Sequence, residues 1–129
     1  LLDGVEILYR PETLSGDEVA SIPVFQHIVE NFPCDMHINY NCNFPECELS
    51  VIDQAISIAQ ETGEALSNPF AVWAQTNECL SGYGDPFNIT ATQFDAPGTH
   101  PIDIHTMEDL LEVHRVHQKC FSWDKIKKS

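Results

Sequence analysis

Apolar residues fall along this chain with two spacings, alternating in some stretches and recurring every three or four positions in others, which predicts a mixed α and β fold. Val5 to Arg10 alternates and stops at Pro11, so it predicts a strand. Ser15 stands three residues before Glu18, the spacing of a helix capping box. Ser21-Ile22-Pro23 restarts a helix with proline in its first turn, where the missing N–H costs little. Val24, Phe25, Ile28, Val29 and Phe32 then form one apolar stripe, which Pro33 ends. Asp35 to Asn41 predicts a short strand, followed by a loop to Glu48. Ser50 and Asp53 repeat the capping spacing, and Val51, Ile52, Ala55, Ile56 and Ala59 make a second stripe that closes at Gly63. Pro69 to Thr76 and Phe87 to Phe94 predict two strands joined by a long hairpin loop. Thr106, with Asp109, caps a last helix that runs to about Phe121.

The predicted order is therefore β-α-β-α-β-β-α. It describes an α+β sandwich of about four strands with three helices mainly on one face. Its first half can form a right-handed βαβ crossover and its second half adds an antiparallel pair. A chain of 129 residues without repeat or linker suits one domain, 1–129, with residues 122–129 as a basic tail.

Charge changes this picture more than composition does. The formal net charge is -14. From Pro11 to His114 there is no lysine or arginine, yet of the twenty carboxylates only Asp3, Glu6 and Asp124 lie outside that stretch. Such a surface repels nucleic acid and anionic membranes and attracts basic proteins. With 43% hydrophobic residues the chain is not a disordered polyanion. No apolar run approaches the ~20 residues that span a bilayer. The start, Leu1-Leu2-Asp3-Gly4, has neither the basic region nor the apolar core of a signal peptide and lacks methionine, so a processed or truncated end is expected. Five cysteines do not suit a secreted disulfide scaffold, and a reducing, cytoplasmic setting is expected, with a removed leader compatible.

Three constellations could carry chemistry. Cys34, His37, Cys42 and Cys47 offer four zinc-type ligands within fourteen residues, although on a strand Cys34 and His37 would point to opposite faces. Absent zinc, Cys34 is a small buried hydrophobe and the other two are loop thiols. His114, His117 and Cys120 share a face of the last helix, with His105 before it; the simpler role is to border the core. Asp103, His105, Glu108 and Asp109 cluster near the same helix, where Asp109 serves as a cap. No nucleophile motif or phosphate-binding loop accompanies them, so the balance leans away from an enzyme.

The function expected is that of a small acidic binding protein acting by protein–protein contact, in the form of an inhibitor or immunity-type protein that covers a basic, nucleic-acid-binding site. Asp17, Glu18, Glu61, Glu64, Glu108, Asp109 and Glu112 are expected to form its acidic face. Tyr83 and Phe87, joined by Trp73 and Phe94, are expected to supply an aromatic anchor. No cofactor is expected in this reading. The alternatives are a zinc-binding domain built on the Cys34–Cys47 cluster and an enzyme with a His/Asp or Cys/His site near the last helix.

Overall fold

A computed structural model describes residues 3–120, with side chains described to Arg115. The predicted basic tail lies outside the described residues, as do the side chains of His117 and Cys120. The elements are a short 3-10 turn (Glu12–Leu14), α1 (Ser21–Asn31), β1 (Met36–Tyr40), α2 (Leu49–Thr62), β2 (Glu64–Asn68), β3 (Val72–Thr76), α3 (Asn77–Ser81), β4 (Thr92–Asp95) and α4 (Met107–Cys120). They form one four-stranded mixed sheet of order β1-β3-β2-β4, an α+β fold as expected. β3 is antiparallel to both β1 and β2, while β2 and β4 run parallel.

The α1 and α2 stripes form helices because each buries one face. α1 buries Ile22 and Phe25 and stops before Pro33. α2 buries Val51, Ala55 and Ala59, and its alanines let the helix lie close against the sheet. It ends at Gly63, whose φ of 94° is one that glycine alone adopts without strain, and whose N–H reaches the Ala59 carbonyl at 2.7 Å.

Side chains alternate across β2 and β3, and this alternation divides the interior in two. Ala65, Val72 and Ala74 face α2, with Val51, Ala55, Ala59 and Phe44. Trp73 and Leu66 face the other way, against Ile22, Phe25 and Val29 of α1 and Leu80 of α3. The helices are thus shared between the two faces instead of gathering mainly on one. β2 and β3 are the central strands, and all of β3 except Thr76 is buried.

Several local expectations are corrected. Val5 to Arg10 forms no strand, and Val5, Ile7 and Tyr9 are exposed, because alternation makes a strand only where a neighbour pairs with it. The βαβ unit is therefore β1–α2–β2, with β3 intervening between the parallel strands. β3 pairs with β2 and β1, not with the strand after it; that strand is shorter than expected and pairs with β2. The spacing Ser15–Glu18 starts no helix: the Ser15 hydroxyl turns back to the Pro11 carbonyl at 2.8 Å. Ser50 does not cap α2 either, since its hydroxyl donates to Glu48. Thr106 and Asp109 do form the reciprocal box: each backbone N–H donates to the other's side-chain oxygen at 3.1 Å.

Candidate functional site

Glu64 opens β2 directly after Gly63, on the face toward α1. It is 2% exposed, so it cannot belong to the acidic surface expected of it. Three neutral donors satisfy its carboxylate. The Trp73 indole N–H donates at 2.6 Å, the Tyr83 hydroxyl lies 3.1 Å from both oxygens, and the Thr90 hydroxyl donates at 2.8 Å. Among the described residues no lysine or arginine pairs with it, and these hydrogen bonds offset the cost of its burial.

The register explains why these groups meet. Trp73 lies on β3, opposite Leu66 and next to the Glu64 position. β4 begins at Thr92 opposite Ala65, which returns the chain from α3 to the Glu64 end of β2 just as Thr90 and Ala91 are reached. The loop from Gly82 to Ala91 is therefore pinned near both ends by one buried carboxylate. The Thr90 N–H also donates to the Tyr83 hydroxyl at 3.1 Å, closing the loop on itself. Inside the loop, the Asp85 side chain accepts from the Phe87 N–H at 3.0 Å. At its crest Phe87 is 74% exposed and Ile89 41% exposed. A fixed loop that holds out a large apolar ring has the form of a binding anchor, because little ordering entropy remains to be lost on contact.

The neighbouring titratable groups fit a structural site. Burial pushes the Tyr83 phenol up, against bonds from Thr90 that pull the other way. Burial, and then the charge of Glu64, push the Cys79 thiol up, so Cys79 is a poor nucleophile at neutral pH.

Of the expected aromatic anchors only Phe87 is freely exposed. Trp73 is 5% exposed, packed edge-on to Phe25 at 5.2 Å, and Phe94 packs against the α2 core. Tyr83 is half-buried, with its hydroxyl committed to Glu64. Asp17, Glu18, Glu61 and Glu108 are exposed as expected. Glu112 pairs with Arg115, and the carboxyl of Asp109 is held below its ordinary range by the N–H of His105 and the Thr106 cap.

The zinc-type quartet does not converge. His37 lies on the α1 face of β1, stacked at 4.6 Å on Phe25 and bonded at 2.9 Å to Gln75. Cys47 lies on the other side of the sheet, against the α2 core and within reach of the Thr99 hydroxyl at 3.4 Å. Cys34 and Cys42 are exposed, so Cys34 is not the buried hydrophobe expected in the absence of zinc. Among the described residues no three His, Cys, Asp or Glu side chains are placed to hold a metal ion. His105 contacts Asp103 at 2.8 Å on an open surface.

Thr90 and the indole N–H of Trp73 were not singled out by sequence reasoning. The available signal was chemical: a Trp or Tyr destined for the interior needs an acceptor for its polar tip. No protein family, curated protein or solved structure matches the chain. No helix among the described residues is long and apolar enough to cross a membrane.

Proposed function

We propose that this chain is a small acidic binding protein that acts by contact with a basic protein, in the form of an inhibitor that covers a nucleic-acid-binding site. The observation that carries the reading is the uncompensated charge. Among the described residues there are two guanidinium groups; Arg115 is paired with Glu112, and Arg10 bonds the Leu14 carbonyl. The carboxylates of Asp17, Glu18, Glu61 and Glu108 stand exposed on a body that has no lysine between residues 11 and 114. Such a field speeds encounter with a cationic surface and disfavours anionic ones. The Phe87 loop adds what charge lacks, an apolar contact that fixes register and slows release.

The test is affinity capture from cells of the source or its host, with wild-type and Phe87→Ala baits eluted in rising salt and identified by mass spectrometry. A basic, nucleic-acid-binding protein retained by the wild type, weakened by the substitution and released by salt is the expected result. Recovery of no basic protein, or of one held equally at high salt, would overturn the reading.

A further inference from the structure

A groove of about 570 Å³ runs between the C-terminal half of α1 and α3. Its lining includes the apolar Val29, Pro33 and Leu80, of which Leu80 is buried, and the exposed acidic residues Glu30 and Asp35. Neither carboxylate makes a hydrogen bond or ion pair among the described residues. The walls are tied together rather than merely adjacent. The Gln26 side-chain N–H donates to the Leu80 carbonyl at 2.8 Å, and the Asn77 N–H donates to the Asp35 carbonyl at 2.9 Å. The groove is therefore formed in advance of any ligand, and its volume falls in the ~300–1,000 Å³ range of ligand clefts. Ser81, which lines it, directly precedes the Gly82–Ala91 loop in the chain.

We propose that this groove takes an arginine-bearing segment of the basic partner, a conclusion that rests on the reading of the chain as a binder of basic proteins. Charge complementarity selects the occupant. An arginine presents an aliphatic stem and a donor-only planar head. The stem matches Val29, Pro33 and Leu80, and the head matches two carboxylates that have no partner of their own. The Gln26 amide spends an N–H on Leu80, so its oxygen adds a neutral acceptor at the same wall. A guanidinium held there makes charge-assisted hydrogen bonds to the carboxylates, which are shorter and stronger than neutral ones. The groove exceeds the size of one side chain, so a short peptide stretch fits it better than a lone residue.

The experiment titrates the full chain with a capped Arg-Leu-Arg peptide at low salt, followed by amide chemical shifts in NMR spectra. A matched peptide with citrulline in place of arginine serves as the uncharged control. The expected result is shifts at Gln26, Asn77 and Ser81, with no response to the citrulline peptide. The double variant E30Q/D35N is expected to weaken binding about tenfold, while E12Q/D53N, the same charge change on exposed residues elsewhere, stays within about twofold. Equal weakening by both variants, with shifts spread over the surface, would overturn the groove while leaving the broader reading intact. So would failure of the arginine peptide to bind when the wild-type chain still captures a basic protein. Failure of both the peptide and the capture would remove the proposed function as well.

Discussion

Replacing Glu64 tests the design of the site most severely. In Glu64→Ala three donors lose their acceptor inside the protein: the Trp73 indole N–H and the Tyr83 and Thr90 hydroxyls. A hydrogen bond to a charged group contributes about 1.5–3 kcal/mol, so the three sum to about 4–9 kcal/mol. Removing the carboxylate also removes its desolvation cost, which is several kcal/mol. The expected net loss is therefore about 2–4 kcal/mol, a large share of the ~5–15 kcal/mol that holds a typical domain together. Glu64→Gln behaves differently. Its amide oxygen can still accept from the indole, and its amide N–H groups can donate to the two hydroxyls, which are able to accept. That substitution is expected to cost about 1 kcal/mol, the worth of an ordinary neutral hydrogen bond. Urea unfolding followed by circular dichroism measures both. Amide hydrogen exchange at Thr90, whose N–H reports closure of the loop onto Tyr83, shows whether the loop is released first. A loss below about 1 kcal/mol for Glu64→Ala, or equal losses for the two variants, would refute the argument that three donors depend on one buried acceptor.

Phe87→Ala should change stability by no more than about 0.5 kcal/mol, as expected for an exposed side chain, while weakening partner binding in the same preparation. Ile22→Ala should cost about 2–5 kcal/mol because Ile22 is 1% exposed, and Ile56→Ala should cost less because Ile56 is only half-buried; urea unfolding ranks the two. Burial lowers the pKa of His37 against the raising effect of Gln75, so its neutral form is favoured in the folded state. The unfolded chain then binds more protons below about pH 6.5, and the contribution is present above that pH and lost as pH falls through the lower folded value. His37→Gln should flatten this part of the stability–pH curve, and an unchanged slope would contradict the assignment.

The long periodic stretches were legible in the sequence, and the reason is local. α1, α2 and the start of α4 announce themselves through apolar spacing, through Gly63 as a left-handed cap and through the Thr106–Asp109 box, all of which act within a few residues. β2 was not legible. Glu64-Ala65-Leu66-Ser67-Asn68 has weak strand composition and becomes a central strand only because β3 and β4 pair on its two sides. The five-residue α3 has no stripe of its own and is held by Leu80 and its contact with α1. The site was hidden for a related reason. A glutamate in an acidic chain reads as solvated surface, and only partners 9, 19 and 26 residues away draw this one inside. Phe87 was legible as an aromatic anchor, but the sequence pattern assigns it to the start of a strand; that it lies in a pinned loop, and that Trp73 turns inward, required the register of the sheet.

The most direct measurement of the central claim is the dissociation constant of the captured basic partner across a series of salt concentrations, for the wild-type chain and for Phe87→Ala. Screening shortens the reach of surface charge from ~30 Å at 0.01 M to ~8 Å at 0.15 M ionic strength. Affinity is expected to fall steeply over that range for both proteins, with the Phe87→Ala curve displaced to weaker binding at every salt. A wild-type affinity that stays flat with salt, or coincident curves for the two proteins, would contradict the central claim.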